Sequence, residues 1–366
     1  MTNHPPERTR YPRTGDPVTT DGRDIDIAVA SLEGEGAQQK ARDIDRHLRR
    51  ISPNPWGEVP QTVEADPTYY ERPMLKQSVW SIDIPLYYFL GGTAGAAMTL
   101  GAAIQLVSPR GEHPLRRISA ICHWTGIIGS TLGSVFLVHD LGRPSRFLYM
   151  MRVFRPTSPM NVGVWILSGA APAAIATGFL VTRRGMLGQI GEFTGYVAGI
   201  FGAALAGYTG VLVCNSAVPI WQEARRWLPV LFVASSAASA ASVIDIVACE
   251  ACDSGITRAF GTAGRAVELA ASMMVEQAAS VIPKVAEPLH HGGPAILWKA
   301  ARNLTAASLV VSLLPGRRRK MAILAGIFGV AGSFCLRMAV HYMSNVSSRD
   351  PRASFYQQRA ERESVT

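Results

Sequence analysis

Six apolar stretches, at 84–107, 115–138, 162–181, 194–213, 228–248 and 321–343, set the limits on what this chain can become. Each is close to the about 20 residues that an α-helix needs to cross the roughly 30 Å hydrocarbon core of a bilayer. Within that core the backbone must satisfy its own hydrogen bonds, so runs of this kind are read as helices. Two further segments are apolar but interrupted. The one at 267–285 carries Glu268, Glu276 and Lys284, and the one at 295–314 carries Lys299 and Arg302. Alone they could be amphipathic surface helices. Ionisable groups survive in a membrane by facing a bundle interior, and on that ground both are counted as spanning. The expected fold is all-α and integral to the membrane, with eight transmembrane helices and both termini on one side.

Charge is distributed to match. The first 80 residues carry 11 Lys/Arg and 13 Asp/Glu, whereas the whole chain has 36 and 27. The net charge of +9 therefore belongs to the apolar part, where loop arginines meet lipid headgroups, and nucleic acid is not needed to explain it. The division expected is a polar, largely disordered N-terminal tail (1–73), a membrane domain (74–345) and a polar C-terminal tail (346–366). The first 25 residues lack the apolar core of a secretory signal. All five cysteines lie in or beside apolar segments, so no disulfide framework is implied.

Small residues recur every four positions: Gly91 and Gly95; Gly126, Ser130 and Ser134; Gly195, Gly199, Ala203 and Gly207. Such stripes let membrane helices approach closely, and GGTAG (91–95) is read as packing rather than as a phosphate loop.

The connector after the second apolar stretch is long, basic and aromatic. HDLGRPSRFLYMMRVFRPTSPMNVGVW (139–165) holds Arg143, Arg146, Arg152 and Arg155 and opens on a His-Asp pair. It reads either as a docking or ligand-binding surface, or as an interfacial loop whose arginines meet phosphates and whose Tyr149 and Trp165 are belt residues. With alternate helices antiparallel, Asp83, Tyr87, Tyr88, His139, Asp140 and Tyr208 fall on one membrane face. A quinone needs an apolar slot for its tail and interfacial hydrogen-bonding groups for its carbonyls, and His can exchange protons near neutral pH. The bland alternatives are belt tyrosines, an Asp83 helix cap and a His-Asp helix end. Asp245 and Glu276 are the acids proposed for proton transfer; Glu268, read as opening its helix, is explained by the helix dipole. Cys249-Glu-Ala-Cys252 has no second pair, so no metal site is expected. Haem would need paired histidines, and His139 with His341, read as lying in the last turns of its helix, is the only same-side pair.

The stretches ERPMLKQSVWSIDIPLYYFLGGTAGAA (71–97), HDLGRPSRFLYMMRVFRPTSPMNVGVW (139–165) and YTGVLVCNSAVPIW (208–221) resemble the NrfD/polysulfide reductase membrane-subunit family. The resemblance implies two four-helix bundles and a haem-free subunit that reacts with menaquinone or another quinone. It also implies a ferredoxin-like partner bearing [4Fe–4S] clusters, and a molybdopterin or hydrogenase-type catalytic subunit. The quinone site would lie in the first bundle on the docking face, with Tyr208 as the helix-4 contact beside His139, Asp140, Tyr87 and Tyr88. The four arginines would form the docking surface. Orientation in the bacterial cytoplasmic membrane draws opposite arguments. The basic cluster at 317–320 and better-known family members favour an external N-terminus. The long charged tail favours a cytoplasmic one, which is the expectation adopted. A scaffold without quinone chemistry and a transporter are the alternative functions.

Overall fold

The computed structural model describes residues 25–26, 31–32, 75, 78, 80–107, 113–248, 255–315 and 319–363. The chain divides into two units, Met1–Pro55 and Trp56–Thr366. In the first, the described residues form two short antiparallel strands, β1 (Ile25–Asp26) and β2 (Ser31–Leu32), with Ile25 opposite Leu32. The expected disorder of the tail otherwise falls outside the described residues.

The second unit is all-helical among its described residues. Its long helices are α1 (Asp83–Val107), α2 (His113–Asp140), α4 (Pro159–Leu180), α5 (Met186–Cys214), α7 (Leu228–Val247), α8 (Gly255–Ser280), α10 (Gly292–Leu313) and α11 (Arg319–Arg349). Short helices α3 (Ser145–Met151), α6 (Pro219–Glu223) and α9 (Pro283–His290) lie in the connections, and α12 (Pro351–Glu363) follows α11. Six of the long helices, all but α8 and α10, are long and apolar enough to cross a membrane, and the chain is a multi-pass membrane protein.

Local chemistry sets the boundaries. Pro159 opens α4 at a position where its missing N–H costs nothing, and the Ser158 hydroxyl caps the helix by accepting from Asn161 N–H. Pro219 and Pro283 start α6 and α9 in the same way. Gly142, at φ +67°, turns the chain out of α2.

Two boundaries differ from the sequence reading. The interrupted segment at 267–285 is in fact α8, which begins at Gly255 and stops at Ser280, before the Pro283 helix. Arg258 and Arg265 lower the hydropathy of its first half and hid that start. Glu268 consequently lies mid-helix rather than at its opening, and Glu276 lies near its end. Similarly, α11 continues to Arg349, so Arg337 and His341 are interior to the helix and buried, not in its last turns.

Helix α1 is the common neighbour of α2, α5, α7 and α11. Around it α4 packs on α2 and α5; farther out, α7 packs on α8 and α11, and α10 on α8 and α11. Helices α1 and α5 approach closely, so that a Cβ on Gly95 would collide with the Gly202 carbonyl and the Ala206 amide. Gly199 faces Ala102 at the same seam, while Gly126 and Gly129 of α2 receive Met98 and Ala94. The expected stripe on α5 holds at Gly195 and Gly199, but Ala203 is exposed and Gly202 takes its place. Each four-residue step turns about 40° beyond a full circle on a 3.6-residue helix, so such a row drifts off the contact.

Gly95→Leu should therefore lower stability by about 1–3 kcal/mol or more, read as an earlier thermal transition in detergent. Ala203→Leu, on the outward face of α5, should stay within about 0.5 kcal/mol of wild type. Equal losses would contradict the α1–α5 seam.

Candidate functional site

Where α1 begins and α2 and α5 end, the helices part around a narrow cleft. Tyr87, Tyr88 and Ile84 come from the first turns of α1, Leu137 and Asp140 from the end of α2, and Tyr208 and Leu212 from α5. Gly163 and Val164 of α4 and Trp80 add to the wall, with Leu141, Met150 and Met160. Gly163 must be glycine here, because a Cβ would overlap the Tyr208 ring. The lining is mainly apolar with a few polar groups at one end, the composition usual for small-molecule pockets.

Behind the wall the aromatics pack on one another, edge-on and stacked. Trp80 meets Tyr88 at 6.4 Å and 88°, and stacks on Trp221 at 6.1 Å and 23°. Trp221 donates its indole N–H to the Val340 carbonyl across 3.1 Å, tying this cluster to α11. Tyr87 and Tyr88 are buried, and neither hydroxyl has a hydrogen-bond partner among the described residues. A buried, unpaired hydroxyl is costly and rare in native proteins, so two in one cleft wall point to a missing acceptor or to water.

Asp140 faces this cleft and is held by Ser81, whose backbone N–H and hydroxyl donate to Oδ1 over 2.9 and 2.7 Å. His139 does not line the cleft. Its Nδ1 contacts Asp83 Oδ2 at 2.7 Å, and its side chain is 77% exposed. Consecutive helical residues point about 100° apart, so a His-Asp pair cannot place both side chains in one slot. His139 and Asp83 instead form an ion-pairing or proton-sharing couple at the surface nearby.

The connector is more ordered than a loop. Asn161 donates to the carbonyls of Met150 and Val153 at 2.6 and 3.0 Å and accepts from the Arg155 N–H at 2.7 Å. This clamp holds α3 and the turn after it against the start of α4. Arg143, Arg146, Arg152 and Arg155 are all exposed, as are Leu148, Tyr149, Val153 and Phe154 between them. The result is a basic surface with apolar relief. The sequence reading missed Asn161, Gly163 and Ser81, although an Asn two residues after a capping Ser-Pro was a signal for a clamped helix start.

The two acids proposed for proton transfer are both paired with arginines, apart from this cleft. Asp245 Oδ2 accepts from Arg265 at 2.9 Å. Glu276 accepts from Arg302 and, at 2.7 Å, from the Trp298 indole. His341 is buried within α11 while His139 stands exposed, so the two do not face each other across a common space. His290 ends α9, and His291 precedes α10. No group of three metal-ligating side chains is found among the described residues; Cys249, Glu250, Cys252, Arg317 and Arg318 lie outside them.

Because Asn161 alone makes three bonds to the connector, Asn161→Ala should release it. Limited trypsin digestion in detergent should then cut after Arg152 several-fold faster than in wild type; an unchanged rate would contradict the clamp.

Comparison with curated proteins finds no match. The family model described as "Polysulphide reductase, NrfD" matches residues 71–253, a span that holds the cleft, the Asn161 clamp and the basic surface. That match covers half of the chain, and the protein belongs to the NrfD polysulphide reductase family.

Proposed function

We propose that this chain is the quinone-reactive membrane subunit of a multi-subunit oxidoreductase, and that the cleft behind Asp140 receives the quinone headgroup. The family consists of membrane subunits of quinone-linked oxidoreductases whose members pair with iron–sulfur and catalytic subunits. The observation that carries the reading to particular residues is the pair of Tyr87 and Tyr88 hydroxyls in the cleft wall, unpartnered among the described residues. They are donors without acceptors, and a quinone carbonyl is an acceptor without a donor.

A bound menaquinone or related quinone would supply two-electron, two-proton chemistry. The chain's own residues do the rest. Tyr88 and Tyr87 orient the headgroup, and Tyr208, set over Gly163, closes the α5 side. Asp140 accepts hydrogen bonds at the mouth, and the exposed His139–Asp83 couple beside it exchanges protons with water. Electrons pass to or from a ferredoxin-like [4Fe–4S] subunit held on the surface of Arg143, Arg146, Arg152 and Arg155. A molybdopterin or hydrogenase-type subunit is the catalytic member of the complex. Opposite charge on the docking partner would both steer and register it.

On this reading α8 and α10 also cross the bacterial cytoplasmic membrane, giving two four-helix bundles, α1/α2/α4/α5 and α7/α8/α10/α11, with the N-terminus in the cytoplasm. Twenty-two helical residues, as in α10, extend about 33 Å, enough for the hydrocarbon core. The charged side chains Arg265 and Glu268 of α8 are buried rather than exposed.

The test uses the intact complex. Tyr88→Phe and Asp140→Asn should each slow quinone-linked turnover about tenfold, since a hydrogen bond to a buried group is worth about 1–1.5 kcal/mol. Reduction of artificial dyes by the catalytic partner should not change. Tyr88→Phe should also leave the thermal transition in place, because the lost hydroxyl has no hydrogen-bond partner among the described residues. Normal quinone turnover in both variants would favour a scaffold role, with electrons leaving elsewhere.

A further inference from the structure

A cluster of buried ionisable side chains lies outside the cleft. Glu268, at the middle of α8, is 3% exposed and surrounded by hydroxyls rather than by solvent. Its Oε1 accepts from Thr305 of α10 at 3.3 Å. Its Oε2 makes no well-formed hydrogen bond among the described residues; the Ser235 hydroxyl of α7 stands beside the carboxyl as a weak donor to it. Arg337 of α11 and Arg265 on the preceding turn of α8 are the cations within electrostatic reach.

Arg337 links this carboxyl to the cleft. One of its terminal nitrogens donates to the Phe232 carbonyl at 2.9 Å and to Ser236 at 3.0 Å, while Nε and the other terminal nitrogen have no hydrogen-bond partner among the described residues. Its guanidinium lies 3.8 Å from the centre of the Phe232 ring, and that ring meets Tyr88 at 6.1 Å. Tyr88 is itself within electrostatic reach of Arg337. In the other direction Arg265 donates to Ser312, Ser242 and Asp245, each at 2.9 Å. Beyond Asp245, Arg319 binds the last carbonyls of α7. Polar groups therefore follow one another from Tyr88 at one end of the helices to Asp245 at the other.

Unpaired donors and acceptors gathered at one depth are what internal water satisfies. Here Glu268, with only the weak Ser235 donor beside its Oε2, and two nitrogens of Arg337 are incompletely satisfied among the described residues, and all are buried. We propose that Glu268 is a mid-membrane proton-exchange site in a hydrated polar core that connects the face bearing Asp245 with the cleft behind Tyr88. The carboxylate takes a proton from a hydronium ion, forming an O–H bond and leaving water, and returns it to water on the Arg337 side. Quinone reduction in the cleft consumes two protons with two electrons from the iron–sulfur partner, and quinol oxidation runs the same exchange backwards. The arginine-paired Asp245 and Glu276 are then flanking structural acids, and Glu268 is the group that changes charge.

The connection to the cleft rests on the quinone reading, but the protonation of Glu268 does not, so the experiment reads that directly. Infrared difference spectra of the purified chain in detergent, between acidic and alkaline buffer, should show a carboxylic-acid C=O band that is lost in Glu268→Gln. The band should shift on transfer to D₂O, because a hydrated core exchanges its proton. If Glu268→Gln fails to fold with Arg337 left unpaired, Glu268→Gln/Arg337→Gln provides the blank. A band that survives the substitution, or no pH-dependent band at all, overturns the proposal. So does a Glu268 band that resists exchange in D₂O, which marks a sealed structural acid. In liposomes, Glu268→Gln should abolish proton exchange with the Asp245 face while dye reduction by the partner persists. Absence of quinone turnover in the wild-type complex would refute the cleft reading alone, leaving the infrared result to stand or fall separately.

Discussion

The close contact of α1 with α5 is the constraint on which the rest of this fold depends. In lipid there is little hydrophobic force to drive one helix onto another, so association relies on packing and hydrogen bonds. Gly95 and Gly202 bring the two backbones together where no side chain would fit. That contact fixes the positions of Tyr87 and Tyr88, two turns earlier on α1, relative to Tyr208 on α5. With α2 seated through Gly126 and Gly129, Asp140 is delivered to the same opening. The cleft is thus a consequence of where the glycines stop: below it the helices touch, and above it bulky aromatics hold them apart.

The second feature of the fold is the way it keeps charge in its interior. Arg265, Arg337 and Glu268 are all almost fully buried, yet none faces hydrocarbon alone. Serines and threonines of α7 and α10 supply partners, and the cation–π contact of Arg337 with Phe232 adds another. Breaking a buried pair by removing one member costs about 3–5 kcal/mol, so such residues persist only where the structure supports them or function requires them. The three oriented toward one polar core lie next to the half of the protein that carries the cleft, which makes an electrostatic link between the two halves physically reasonable.

Much of this was legible from the residues. Apolar run length found the six clear spans, and alternation of helix direction placed Asp140 and the three tyrosines on one face. Three things were not legible, each for a physical reason. A helix rotates about 100° per residue, so adjacency in sequence joined His139 to Asp140 although only Asp140 enters the cleft. Buried arginines mimic a surface helix in hydropathy, so the first half of α8 was passed over and Glu268 was set at a helix start. The connector gave no apolar periodicity, so α3 and its Asn161 clamp emerged only from hydrogen bonds that depend on the folded backbone.

The account centres on the cleft as the place where a quinone headgroup meets Tyr87 and Tyr88, and photolabelling with an azidoquinone tests it most directly. After irradiation of the complex and peptide mapping, the account predicts label on the residues around Trp80–Tyr88, Leu137–Leu141, Met160–Val164 and Tyr208–Leu212, suppressed by excess unlabelled quinone. Competable label concentrated elsewhere, for example in the apolar groove between α7 and α8 around Val233 and Phe260, would contradict it.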